Sequence, residues 1–177
     1  PSYFIEKPDI NKESFWTEIY RTEEPGWDLK EPANFLPEVL PQLKLSKQRV
    51  LVLGCGRGHD AAHFAQQGHI VVAVDFSPQA IEDAKKLYGH VPGLEFIQAD
   101  VFNLPTQNFG PFDLIFEHTL FCAVEPSRRN QLIKTWKKHL VVGGHLLGAF
   151  FVMSKRLGPP YGGSEWEMKE RLKNHFD

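Results

Sequence analysis

The sequence predicts an α/β fold, a parallel sheet with helices on both faces, and three observations carry that reading. An apolar run, Leu51-Val-Leu, stops at Gly54, glycines recur at Gly56 and Gly58, and a helix-like segment follows. A second apolar run, Val71-Val-Ala-Val, ends on a carboxylate, Asp75. From Val50 onward strand-like and helix-like segments alternate, the mark of βαβ units.

Each element follows in order. Asn11 or Ser14 caps a short helix carrying Phe15, Trp16, Ile19 and Tyr20, broken by Pro25-Gly26. A second short helix covers Phe35 to Leu40. The first strand is Arg49 to Leu53, and the crossover helix runs from about Asp60 to Gln67, where Gly68 ends it. The second strand is Ile70 to Val74. Ser77-Pro78 supplies an N-cap and a first helical residue for a helix with Ala80, Ile81, Ala84, Leu87 and Tyr88 on one face. Leu94 to Ile97 is the third strand, ending near Asp100, and Phe112 to Phe116 is the fourth. Ser127 caps a helix whose buried stripe is Leu132, Ile133, Trp136 and Leu140. Gly143-Gly144 turns the chain into a fifth strand, His145 to Phe151. Ser164 with Glu167 makes a capping box for a last helix carrying Trp166, Leu172 and Phe176.

Size and composition bound the function. A chain of 177 residues is read as one domain, an N-terminal aromatic segment over 1–45 and a core over 46–177. A net charge of −2 gives no electrostatic case for nucleic acid or an anionic membrane as partner. No apolar run approaches the roughly 20 residues that cross a bilayer, and the first residues lack the basic start and apolar stretch expected of a signal peptide. Cys55 and Cys122 both lie inside motif segments, which points to a reducing, cytoplasmic setting without a structural disulfide.

The glycine spacing sorts the ligands. A dinucleotide fingerprint, G-x-G-x-x-G, needs its third glycine at position 59, which is His. G-x-G-x-G ahead of a strand ending in an acid resembles the pattern of Rossmann-like methyltransferases that use S-adenosylmethionine (SAM). The glycines let backbone approach the methionine moiety and ribose, and Asp75 accepts hydrogen bonds from the ribose hydroxyls.

Further segments sharpen this. Phe15-Trp16-x-x-x-Tyr20, Gly26-Trp27-Asp28-Leu29 with Pro32, the run from Phe112 to Pro126, and Gly158-Pro-Pro-Tyr161 together resemble the thiopurine methyltransferase-like family, which includes halide and thiol methyltransferases. The resemblance spans Phe15 to Phe176. It implies methyl transfer from SAM, with S-adenosyl-L-homocysteine as product, to a small soft nucleophile: a thiol, hydrosulfide, thiopurine or halide.

It also implies a set of residues. Trp16, Tyr20 and Trp27 cover the methionine end of SAM. Gly54, Gly56 and Gly58 form the glycine loop, Asp75 with Phe76 takes the ribose, and Asp100 and Val101 flank the adenine. Glu117 and His118 contact the cofactor from the fourth strand. Trp27, Phe121 and Arg129 face the acceptor. Two departures stand out. Relatives have Asp-Tyr where this chain has Glu117-His118, and they continue past the last helix into two more strands, so the C-terminal strands of the sheet are expected to be missing here.

The chemistry needs no firm catalytic residue. Aromatic faces attract a sulfonium without competing as nucleophiles. A soft nucleophile such as a thiol is already partly ionised at neutral pH. His118 reads either as a proton acceptor or as a histidine packed beside the cofactor. Arg129 reads either as a substrate contact or as a solvated first-turn residue. His59-Asp-Ala-Ala-His63 imitates a zinc-protease motif but has Asp for Glu and no third ligand, so no metal is expected. Three alternatives remain open: an NAD(P)-dependent oxidoreductase, a non-catalytic SAM-binding module, and a protein or nucleic-acid methyltransferase. The oligomeric state is not written in the sequence, with a monomer favoured.

Overall fold

The computed structural model describes residues 8–22, 24–155 and 157–177. Its frame is a sheet of β1 (Arg49–Leu53), β2 (Ile70–Asp75), β3 (Leu94–Gln98), β4 (Phe112–His118) and β5 (Leu140–Ala149). All neighbours run parallel, in the order β3-β2-β1-β4-β5. The order reverses at β1. The carboxyl ends of β1 and β4 therefore flank the crevice where open α/β sheets take their ligands.

Strand alternation divides the core in two. Val50, Val52, Val71, Ala73, Leu114 and Phe116 pack with α2 (Leu36–Gln42), α3 (His59–Gln66) and α4 (Pro78–Tyr88). Leu51, Leu53, Val72, Val74 and Ile115 pack on the other side with Leu132, Ile133 and Trp136 of α6 (Arg129–His139). Between β4 and α6 come the short α5 (Leu120–Ala123) and a 3₁₀ turn, Pro126–Arg128. α1 (Glu13–Thr22) precedes the sheet and α7 (Glu165–Leu172) follows it. The parallel α/β architecture is as the alternation predicts. No helix among the described residues is long and apolar enough to cross a membrane.

Four local expectations need correction. β5 begins at Leu140 and runs straight through Gly143-Gly144: Phe112 pairs with Leu140, and Leu114 already with His145. The glycines form an irregularity within the strand. Gly143 takes a φ of +79°, and a Cβ on Gly144 would lie 3.1 Å from the Asp113 carbonyl. Ser127 caps nothing, because Pro126 starts a 3₁₀ turn that leads directly into α6. α1 begins at Glu13, so Ser14 lies inside it, and the Asn11 side chain bonds Arg128 and Glu125 instead. Trp166 is 72% exposed, and it is Met168, Leu172 and Phe176 that pack on the core. The Ser164 cap does form, its hydroxyl accepting the Glu167 N–H at 3.0 Å.

Candidate active site

The turn after β1 is built so that side chains stay out. Gly56 and Gly58 have φ of +53° and +83°, where L-residues are strained. A Cβ on Gly56 would sit 2.8 Å from the Tyr20 hydroxyl, and one on Gly58 only 2.6 Å from the Phe96 ring. Gly58 is thus a packing glycine. Beside the turn, Asp75 ends β2 almost buried. Its Oδ2 accepts the Gly56 N–H at 2.8 Å and its Oδ1 the Ser77 N–H at 2.9 Å. Burial pushes its carboxyl up, against the pull of those N–H donors. Each oxygen keeps a lone pair for a further donor.

The N-terminal segment roofs this edge. Trp16, Tyr20 and Trp27 meet edge to face, with ring centroids 5.8 Å apart for Trp16–Trp27 and 6.2 Å for Tyr20–Trp27. Trp27 Nε1 donates to the Tyr20 hydroxyl at 3.2 Å. Burial, reinforced by the Asp75 charge, pushes the Tyr20 phenol far up, so it stays protonated. Polar ties hold the roof down: Thr17 and Ser77 hydroxyls lie 2.9 Å apart, and Asp28 binds Arg57 at 2.6 Å and His59 at 2.9 Å.

At the end of β4, His118 Nδ1 lies 3.1 Å from Asp60 Oδ2 at the start of α3. The other Asp60 oxygen accepts the Ala33 N–H at 2.7 Å. Thr119, the next residue, has a φ of +70°, an outlier for a β-branched residue and one that sits on the cavity wall.

Between roof and sheet lies a cavity of about 880 Å³. It gathers Trp16, Tyr20, Trp27, Gly54, Asp75, Phe76, Asp100, Val101 and His118, nine of the residues singled out from the sequence. Gly56 lines a small recess beside it, together with Tyr20, Trp27 and His118. Gly58, Glu117, Phe121 and Arg129 line neither.

Those last three form a buried polar cluster behind the wall. Glu117 is wholly buried, and its Oε1 accepts the Phe121 N–H at 2.7 Å. Burial pushes its carboxyl up to about 7. Arg129 is 1% exposed, with its guanidinium 4.3 Å above the Phe121 ring and Nη1 paired with Glu167 at 3.0 Å. Glu117 Oε2 and Arg129 Nε and Nη2 have no hydrogen-bond partner among the described residues. The arginine on the cavity wall is the neighbouring one, Arg128, stacked 3.8 Å over Phe102.

Sequence reasoning missed Asp28 as an anchor, Asp60 as the partner of His118, Arg57, Arg128 and Thr119. Asp28 carried a faint signal, an acid directly after a Trp in Gly26-Trp27-Asp28. The others depend on contacts between distant segments.

The wall fits SAM on its own chemistry. A carboxylate at a strand end suits paired hydroxyls, and a group of electron-rich rings suits a cationic sulfur. Among the described residues no cluster of three or more His, Cys, Asp or Glu groups is placed to hold a metal.

Comparison with known proteins agrees. The model of the thiopurine S-methyltransferase family matches residues 11–177. A probable thiol methyltransferase 2 of Arabidopsis thaliana is 32% identical over 167 residues, covering 92% of this chain and 73% of that protein. Thiocyanate methyltransferase 1 of the same plant is 33% identical over 155 residues, covering 85% and 67%. Among solved structures, one described as converting a disulfide bond into a thioacetal group during echinomycin biosynthesis superposes with a TM-score of 0.64 at 29% identity, covering 73% of this chain and 57% of that one. A Burkholderia thailandensis 1,6-didemethyltoxoflavin-N1-methyltransferase, solved with S-adenosylhomocysteine, shares the fold at a TM-score of 0.73 and 21% identity, covering 92% and 75%. The chain thus spans about two thirds to three quarters of these plant relatives' length and little more than half of the first structure's. A family match over nearly all of the sequence, on the fold and pocket described, places the chain in the thiopurine S-methyltransferase family of SAM-dependent methyltransferases.

Proposed function

We propose that this chain transfers the methyl group of SAM to a small soft nucleophile: a thiol, hydrosulfide, thiopurine or halide. The observation that carries the reading is the convergence of Asp75, the Trp16-Tyr20-Trp27 roof and His118 on one cavity at the switch point of the sheet. SAM supplies an electrophilic methyl on a positive sulfur. Asp75 holds the ribose through its remaining lone pairs. Asp100 and Val101 border the adenine. The roof rings attract the sulfonium by about 0.5–2 kcal/mol each and shed water from the reacting atoms. Holding nucleophile and methyl collinear can supply about 7–11 kcal/mol of the barrier in favourable systems. Residues 1–45 serve as a lid over the 46–177 core; of the lid, residues 8–22 and 24–45 are described. The acceptor is a small molecule rather than nucleic acid, the protein works as a monomer, and two free cysteines suit the cytoplasm.

The test joins binding to transfer. Calorimetry should show SAM and S-adenosyl-L-homocysteine binding, with NAD not binding, and Asp75→Ala should abolish the nucleoside affinity. Labelled methyl should then reach at least one of a thiol, hydrosulfide, thiopurine or iodide. Retained affinity in Asp75→Ala would put the nucleoside elsewhere. Binding without transfer to any acceptor would make the chain a SAM-binding module.

A further inference from the structure

We propose that His118 and Asp60 form a proton-accepting pair that directs this site toward protic sulfur nucleophiles, thiols and hydrosulfide, and away from halides. The inference rests on the reading above and narrows its acceptor.

The geometry is specific. His118 closes β4 on the cavity wall, its ring set edge-on to Phe35 at 6.2 Å. Nδ1 faces Asp60 Oδ2 at 3.1 Å. A carboxylate facing Nδ1 can only accept, so in the neutral ring the proton sits on Nδ1 and Nε2 is left as the acceptor. The hydrogen bond that His118 makes among the described residues is through Nδ1, which leaves Nε2 to the cavity side of the pair's chemistry. Asp60 is itself held by the Ala33 N–H, which fixes the ring from behind. This is the arrangement by which a carboxylate orients an imidazole as a base.

The other titratable groups on the wall are unsuited. Asp75 is engaged twice over: its oxygens take two backbone N–H groups and, in the reading above, give their remaining lone pairs to the ribose. Asp100 accepts the Phe102 N–H through Oδ1 and borders the adenine in the reading above, and Glu125 accepts from Asn11 through Oε2 at 3.4 Å, at an exposed contact. Tyr20 stays protonated because burial and Asp75 push it up. Cys122 donates to the Thr119 carbonyl, and burial pushes its thiol up to about 11. Arg128 is a permanent cation.

The step is a single proton transfer. The S–H bond of the acceptor breaks, its proton bonds to His118 Nε2, and the electron pair stays on sulfur as the nucleophilic thiolate. Asp60 faces the imidazolium so formed. A free thiol, with a pKa of about 8.5, is mostly protonated at neutral pH, so a base raises the reactive fraction. Iodide has no proton to lose and gains nothing from the pair. His118 is the catalytic residue of this step and Asp60 its positioning residue.

The experiment compares wild type, His118→Gln and Asp60→Asn, with benzyl mercaptan and iodide as acceptors. The ratio of thiol to iodide methylation at saturation should fall about 100-fold in His118→Gln, the low end of general-base effects, and fall in the same direction in Asp60→Asn. A second readout needs no turnover. Benzyl mercaptan bound in the dead-end complex with S-adenosyl-L-homocysteine should show thiolate ultraviolet absorbance in wild type and lose it in both variants. An unchanged ratio in folded variants overturns the inference, as does loss of both reactions in parallel or transfer to iodide alone. A wild type that binds S-adenosyl-L-homocysteine but has no thiolate signal overturns it while leaving the methyltransferase reading intact. A wild type that binds no nucleoside removes both.

Discussion

The Asp28 carboxylate grips Arg57 at 2.6 Å and His59 at 2.9 Å, and so fastens the residue after Trp27 to the glycine turn. Burial works to raise the Asp28 carboxyl, but Arg57, the Lys30 N–H and His59 outweigh it and hold it below the ordinary range. Asp28→Asn should keep the fold and loosen the roof. The expected result is a roughly tenfold weaker S-adenosyl-L-homocysteine affinity by calorimetry, about 1.4 kcal/mol. Equal affinity would mean that the roof is held without this anchor.

Glu117 gives a pH signature of stability. Its folded carboxyl is raised from 4.5 to about 7, mainly by burial. The folded state therefore binds this proton more tightly than the unfolded chain does. Its contribution is fully present below about 4.5, declines as pH rises through the interval, and is lost above about 7. Glu117→Gln keeps an acceptor for the Phe121 N–H and removes the buried charge. Urea unfolding should show the variant about 1–3 kcal/mol more stable than wild type at pH 8, with little difference at pH 4.5.

Gly58 separates packing from binding. Alanine there meets a left-handed backbone and a ring atom at 2.6 Å. Gly58→Ala should cost about 2–4 kcal/mol in denaturant unfolding. The fraction that stays folded should bind nucleoside normally, because Gly58 lies off the cavity wall.

The two adjacent arginines should part in kinetics. Arg129→Leu removes the Glu167 partner and the cation over Phe121, and should lower stability by about 1–3 kcal/mol without raising KM for the acceptor. Arg128→Leu removes a wall residue, so KM should move while stability changes by less than about 1 kcal/mol.

What the sequence made legible was what local chemistry controls. β1 was placed correctly from Arg49 to Leu53, and the Ser77 cap forms as read, its hydroxyl accepting the Ala80 N–H at 3.3 Å. Apolar runs and caps leave such marks because neighbours in sequence decide them. The Gly143-Gly144 segment read as a turn, since only the partner strand shows that it is taken up inside β5. The arginines show the same limit: one step along a helix rotates a side chain by about 100°, and no local feature distinguished the buried Arg129 from the wall residue Arg128. Asp60 sat in a pattern that imitated a metal site, and its role depends on His118, far along the chain.

The seam between β1 and β4 joins two halves of the polypeptide that meet late in the sequence. Gly54 and Asp75 belong to the earlier half and His118 to the later one, so neither half alone presents a complete binding surface. Pairing so distant in sequence is slow to form, and at the proposed site a nucleoside gripped across it would act as a clasp on the whole domain. Retention on an immobilised nucleoside would accordingly sort fully closed molecules from half-docked ones, a stricter criterion of native assembly than helix content.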